Sequence, residues 1–419
     1  MKWKNATDQA PTATGTPAPA WLAMFLCWLA YTAAYLGRYS YNSNITAIID
    51  NFGVGHADAG LVTTCFFFAY GAGQIINGIL CRHYSQKWII PFSLACSSLL
   101  NLTVFLGVPF SLIKYLWLVN GLVQSMLWPT LIYILSQSLC GADLAKSVVV
   151  MSTTVPVGTL VSYGLSAFLT LSGSYTYAFL AGTMVMAGSA VVWLLLHKRA
   201  FQAGPGAAAS VPAAAKEERP ASGLLLTVLM LGLFAVINNL VKDGLTTWVP
   251  SILKEQFGLH DGLSILMTLV LPLLGMFGAA FNTLLNKKIH SFLSLSGTWY
   301  LLTVFCMGIV LLLTHSKYWG AMVAAFGATS LSMHAVNNII TSMAPLYMRK
   351  QINSGLLAGI LNGCCYVGST ISSYGLGSVA DRFGWNGVFV LLLAISCVPV
   401  ALTGVMGLLR RKGMNLHNL

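Results

Sequence analysis

The chain alternates long apolar stretches with short polar breaks. Apolar runs fall near 21–47, 59–81, 88–108, 111–138, 147–172, 175–197, 223–251, 262–286, 291–314, 318–344, 353–379 and 385–409. A helix rises ~1.5 Å per residue, so ~20 apolar residues cross the ~30 Å hydrocarbon layer of a bilayer. The pattern predicts twelve transmembrane helices. It is interrupted once, at 198–222, where Ala, Pro and Gly accompany Lys216, Glu217, Glu218 and Arg219. That composition suits a flexible linker. The expected fold is an all-α membrane protein of two six-helix bundles, at 21–197 and 223–409. Polar tails at 1–20 and 410–419 flank them.

Composition agrees with this pattern. The chain is 57% hydrophobic and only 8% charged, whereas soluble domains carry about 25% charged residues. Lipid must be the solvent for much of its surface. The first 20 residues lack the short apolar core of a signal peptide, so the run beginning at Trp21 is expected to remain as a helix. The nine cysteines lie mostly within apolar runs and lack metal-ligand spacing. They read as small packing residues, and no metal or cofactor is expected.

The net charge of +12 would suggest nucleic acid in a soluble protein, but here Lys and Arg cluster in short loops. Numbering the loops alternately puts 16 Lys and Arg on the side of the termini and four on the other: Lys114, Lys254, Lys317 and Arg382. Positive loops stay in the cytoplasm. Both termini are therefore expected to be cytoplasmic, in the cell (inner) membrane, with no nucleic-acid partner and the chain working as a monomer.

The two halves repeat each other weakly. Arg38 precedes Phe52-Gly53 by 14 residues, and Lys242 precedes Phe257-Gly258 by 15. His56 and His260, and likewise Tyr70-Gly71 and Leu274-Gly275, are separated by 204. Parallel repeats joined by a linker mark a two-lobed carrier with its site at the lobe interface.

Arg38 and Lys242 complete the charge count. Each lies inside the first helix of its half, where a cation costs at least ~2.5–3.5 kcal/mol on insertion scales. Asp243 is the one acidic residue inside a predicted span. It follows Lys242 directly, about 100° away around a helix, and is expected to face elsewhere. Two cations without a protein partner imply an anionic solute. Arginine's planar fork suits phosphate or carboxylate, and lysine offers a point charge. Asn42 and Asn238 lie one turn from these cations and Tyr35 close by. Gln74 and Gln124, with Asn120, are further polar candidates for the cavity wall. Asp243 and His334 are candidates for carrying a proton. Gly355, Gly359 and Gly363 form a GxxxGxxxG face expected to let the eleventh helix pack closely. No hydrolase, zinc-protease or phosphate-loop motif occurs, so an enzyme is not expected.

Several segments together resemble a known family. They are Tyr35–Asn42 (YLGRYSYN), Asn120-Gly121 with Gln124 and Trp128-Pro129, and the run KDGLTTWVPSILKEQFG from Lys242. The stretch from Ala344-Pro345 through Gly355, Gly359, Gly363 and Asp381 to Gly384-Trp385 completes the set. The chain resembles the organophosphate:phosphate antiporters of the major facilitator superfamily, the group of glycerol-3-phosphate and hexose-phosphate transporters. The resemblance implies the major facilitator fold, alternating access and substrate-binding roles for Arg38 and Lys242. The chain departs from that pattern in places. The family's second substrate arginine is Lys242 here, a helix-2 lysine becomes Gln74, a helix-5 histidine falls on Val155, and the acidic residue after helix 2 falls on Cys81. A phosphate ester and a carboxylate both remain open as solutes. Antiport is the leading expectation. Proton-coupled symport of an organic anion and a non-transporting sensor of the same fold are the alternatives.

Overall fold

The computed structural model describes residues 20–201, 224–289, 291–314, 316–348, 351–352 and 354–411. Most of the expected linker and nearly all of both tails lie outside the described residues. The first six helices are α1 (Ala20–Ser43, extended by Ile45–Phe52), α2 (His56–Leu80), α3 (Gln86–Phe105), α4 (Phe110–Ser138), α5 (Ala142–Ser172) and α6 (Thr176–Ala200). The second set is α7 (Leu224–Phe257), α8 (Asp261–Asn286), α9 (Phe292–Leu313), α10 (Trp319–Asn338), α11 (354–383) and α12 (385–411). Helix α6 runs to Ala200, past the expected start of the linker at 198.

Ten stretches among the described residues are long and apolar enough to cross a membrane. One of them, Leu356–Leu408, contains both α11 and α12, because Gly384 at φ 65° breaks the helix between them. Helix α10 is absent from the ten; it carries Thr329, Ser330, Ser332, His334, Asn337 and Asn338. Together these make twelve. Outward-facing Leu195, Leu225 and Leu312 are 71%, 73% and 84% exposed, an apolar surface that only lipid can cover.

Two corresponding helices end on left-handed glycines. Gly53 (φ 62°) and Gly258 (φ 66°) occupy the left-handed position that closes α1 and α7, a conformation costly for any residue with a Cβ. Beyond α10 a π-turn spans Ile339–Met343. Pro345 lies just after it; its ring would clash with the carbonyl four residues back, and the widened turn relieves that clash.

The two lobes meet through α1 against α7, α2 against α11 and α5 against α8. The α1–α7 seam runs along the pseudo-two-fold axis. Asn42 donates to Thr247 (3.2 Å), Thr46 pairs with Ser251 (2.9 Å), and Lys254 bonds Asp50. These partners are 205, 205 and 204 residues apart. The repeat offset of 204 read from the sequence is therefore matched to within one residue by the contact offsets at the axis.

The molecule has two unlike ends. The terminal face is where α1 begins, α6 ends and α7 begins. The far face carries the α1–α2, α7–α8 and α11–α12 connections. On the far half the lobes are in contact. A Cβ on Gly60 of α2 would lie 2.3 Å from the Ser373 carbonyl oxygen of α11, and one on Gly377 would lie 2.5 Å from the His56 carbonyl oxygen. Only glycine permits that approach.

Candidate functional site

A cavity of about 760 Å³ lies between the lobes. Its wall reaches Cys81 at the end of α2, Ser136 at the end of α4 and Ala358 at the start of α11. All three lie toward the terminal face, so the cavity opens there. At its deep end are Tyr31 and Tyr35 of α1, Gln74 of α2, Asn239 and Lys242 of α7, and Asn362 and Tyr366 of α11. Aromatic faces with a few convergent amides and one ammonium make a typical small-solute pocket.

Arg38 sits behind this wall rather than in it. Its guanidinium carbon lies 4.2 Å from the centroid of Tyr70, 4.5 Å from Tyr35 and 4.9 Å from Phe66. Three ring faces attract the cation through their quadrupoles. Arg38 Nε donates to Gln124 Oε1 at 3.3 Å, and Nη2 has no hydrogen-bond partner. The residue is 4% exposed and makes no ion pair among the described residues. A buried guanidinium held by rings and one amide has donor capacity left over.

Gln124 is a support for Arg38, not part of the cavity wall. Its Nε2 donates to Ser97 Oγ (2.8 Å) and Asn120 Oδ1 (3.2 Å), which turns Oε1 toward the arginine. Gln74 does line the cavity, donating to Tyr70 Oη at 2.8 Å, and Tyr31 Oη shares the same hydroxyl at 3.0 Å. The Tyr366 ring lies tilted against Tyr70, with centroids 5.1 Å apart. Four tyrosines from three helices thus screen Arg38 from the open cavity.

The expected separation of Lys242 from Asp243 is not found. Lys242 Nζ lies 3.2 Å from Asp243 Oδ1. Adjacent residues do project about 100° apart, but the four-carbon lysine stem bends back far enough to cancel that angle. Asp243 Oδ2 also accepts from Ser369 Oγ (2.5 Å) and Asn239 Nδ2 (3.4 Å). Lys242 lines the cavity as half of an ion pair, not as a free charge.

Other candidates are engaged elsewhere. Asn42 accepts from Thr63 (2.9 Å) and donates to Thr247, so it ties the lobes together on the far side of Arg38. Asn238 is fully buried and donates to Asn239 Oδ1 (3.1 Å). It is Asn239, one position on, that reaches the cavity. His334 is half-buried and does not line the cavity, with Nδ1 2.8 Å from the Ser330 carbonyl of its own helix. Gly359 and Gly363 have nothing within 4 Å of a notional Cβ. They hollow out the cavity wall instead of packing α11 against a neighbour.

On the far face, polar groups close the lobes. Asp381, in the last turn of α11, receives the backbone N–H of His56 (2.9 Å) and of Ala57 (2.8 Å), capping the N-terminus of α2 from the opposite lobe. His56 Nδ1 lies 2.7 Å from Asp381 Oδ1, and Nε2 lies 2.8 Å from Glu255 Oε1. Trp385 donates to the other Glu255 oxygen at 2.9 Å. Lys254 bridges Asp50 and Asp261, the latter at 2.7 Å. His260, the repeat counterpart of His56, only caps α8, accepting from Gly262 N at 3.4 Å.

Residues 27–354 match the family model described as Major Facilitator Superfamily. The chain belongs to that superfamily. It is 21% identical over 416 residues to a probable hexose phosphate transport protein of Chlamydia pneumoniae, covering 91% of this chain and 88% of that one. It is 22% identical to sugar phosphate exchanger 3 of Bos taurus over 86% and 83% of the two chains. It is 20% identical to the membrane sensor protein UhpC of Escherichia coli over 87% of each. Among solved structures, a bacterial homolog of the human lysosomal transporter Spinster superposes with TM-score 0.73 at 16% identity, covering 96% of this chain and 98% of that one. This likeness supports the fold. As a superfamily member the chain is a multi-pass membrane transport protein and not an enzyme.

Sequence reasoning missed Tyr70, Asn239, Asn362, Tyr366 and Ser369. A signal for Asn362 and Tyr366 was available. They interleave with Gly359 and Gly363 at helical spacing, and polar residues on a glycine face point to a cavity.

Proposed function

We propose that the chain is a secondary carrier of a small organic anion, a phosphate ester or a carboxylate, working by alternating access between its two lobes. The reading places the terminal face in the cytoplasm, from the 16-to-4 excess of Lys and Arg on that side. It places the protein in the cell (inner) membrane, where the structure described is the inward-open state. The observation that carries it is Arg38. A buried arginine with an unpartnered Nη2, one ring away from an open cavity, keeps a positive charge that an anion in the cavity would neutralise.

The cycle follows from the geometry. An anion entering from the terminal face displaces the Tyr35 ring from Arg38, replacing a cation–π contact of about 0.5–2 kcal/mol with a charge-assisted pair. Lys242 and Asn239 on the opposite lobe reach the same solute. Contacts from both lobes draw the cavity closed, and the far-face contacts part in exchange. Requiring a solute for this step produces exchange rather than leak. The named activities of the Chlamydia and cattle relatives agree with an anionic, phosphorylated solute.

The test is counterflow in proteoliposomes loaded with hexose phosphates or sugar acids. Arg38→Ala should lower apparent affinity by ~30-fold or more, since truncating one side of a buried charge pair costs about 2–5 kcal/mol. Arg38→Lys should recover part of it. Full counterflow by Arg38→Ala would overturn the reading. Similarity to a membrane sensor favours one second reading, a sensor of the same solute. Tight binding without counterflow would identify that role.

A further inference from the structure

This inference rests on the proposed anion transport and asks how many negative charges the solute carries. Among the described residues, the middle of the bundle contains four ionisable side chains besides tyrosines and cysteines: Arg38, Lys242, Asp243 and His334. His334 faces its own helix backbone. Lys242 and Asp243 form a pair at 3.2 Å, and Ser369 and Asn239 also hold the carboxylate. Three donors, Lys242, Ser369 and Asn239, converge on that one carboxylate. The pair sums to zero, and Arg38 leaves the site at +1.

A net charge buried in a low-dielectric site is costly in either direction. The least costly occupied state is the neutral one, reached when the solute brings a single negative charge. We infer that Asp243 sets the charge class of the solute by cancelling Lys242. The carrier then selects monoanions, either a carboxylate or a singly charged ester, over doubly ionised phosphate esters. The cavity volume of about 760 Å³ and its lining of Tyr35, Tyr366, Asn239 and Asn362 suit a hydroxylated, sugar-sized body. Ring faces meet its C–H surfaces and amides meet its hydroxyls.

Glucose 6-sulfate and glucose 6-phosphate separate charge from shape. The sulfate ester is singly charged at all working pH. The phosphate ester, with a second pKa of about 6, is mostly doubly charged above pH 7. At pH 7.5 the wild-type protein should bind the sulfate at least ~10-fold tighter than the phosphate. Phosphate binding should strengthen about 10-fold between pH 7 and pH 5 as the singly charged fraction grows. Asp243→Asn keeps the shape but raises the site to +2, and should reverse the order at pH 7.5. The double variant Lys242→Gln with Asp243→Asn returns the site to +1 and should restore the wild-type order.

Phosphate bound as tightly as sulfate by the wild type at pH 7.5, or an order unchanged in Asp243→Asn, would overturn the inference and leave anion transport standing. Binding of neither ester, nor of a sugar acid, would instead remove the anion reading itself. The wild-type comparison stands alone should Asp243→Asn fail to fold.

Discussion

The two halves of the lobe interface solve opposite problems with similar residue types. On the far half, charges are paired across the lobes: Asp381 caps α2, His56 bridges Asp381 and Glu255, and Lys254 joins Asp50. Gly60 and Gly377 bring α2 and α11 into backbone contact there. On the terminal half the same two helices splay apart, glycines on α11 face open space, and Arg38 keeps unused donor capacity. A carrier needs both conditions at once. Satisfied polar groups hold one side shut while unsatisfied ones on the other attract the solute. The far contacts are mostly partly exposed pairs, individually modest in energy, and so can be exchanged for solute contacts.

Four substitutions would test this contrast, from the largest expected effect to the smallest. Gly60→Leu puts a side chain where 2.3 Å of space exists. The far face should then be unable to close, and counterflow should fall to background. Spin labels across the far face should show the longer distance, with the helix content retained. A short distance with normal flux would mean that the α2–α11 approach is not the gate.

Asp381→Ala removes two N–H bonds at the start of α2 and one histidine contact. A loss of about 2 kcal/mol is expected, a roughly 30-fold shift toward the far-open state. The same label pair reads it. An unshifted distance distribution would assign the cap no role in gating.

His56 adds a pH dependence. Both ring nitrogens face carboxylates that only accept, so the closed gate fits a doubly protonated ring. Closure is then fully present at acid pH on the far side and is lost as pH rises through the histidine range. Raising that pH from about 5.5 to about 8.5 should increase the far-open fraction several-fold. His56→Gln should flatten the response. An identical pH profile in His56→Gln would show that His56 is not the titrating group of the gate.

Asp50→Asn is expected to matter least. Its carboxylate is 55% exposed, and Lys254 keeps Asp261 as a partner. A change under about 1 kcal/mol, visible mainly at low salt, is expected in the same measurement.

Much of this was legible in the sequence because the physics is local. An apolar run of ~20 residues needs no partner to declare a span, and loop charge needs none to declare a side. The offset of 204 between the halves reappeared, to within one residue, in the contacts along α1 and α7. Helix α10 was legible as the apolar run at 318–344, although its Thr, Ser, His and Asn residues make it the least apolar of the twelve. The site was legible only in its charges. Asn238 and Asn239 cannot be told apart by spacing alone, since both fall within one turn of Lys242. His56 and His260 read as equivalents, yet one bridges lobes and the other caps a helix. Asp381 and Glu255, which make that difference, lie far along the chain from His56.

The sequence by itself determined the lipid solvent, the twelve spans, the duplication and the presence of two membrane-buried cations. Each of these depends on the free energy of a single segment in water or hydrocarbon. Only the tertiary structure decided the rest: that Lys242 is cancelled by its neighbour, that Arg38 waits behind four tyrosines, and that one side is latched while the other is open. Those outcomes depend on where flexible side-chain ends meet, and a few ångströms there decide whether a charge is paired or free.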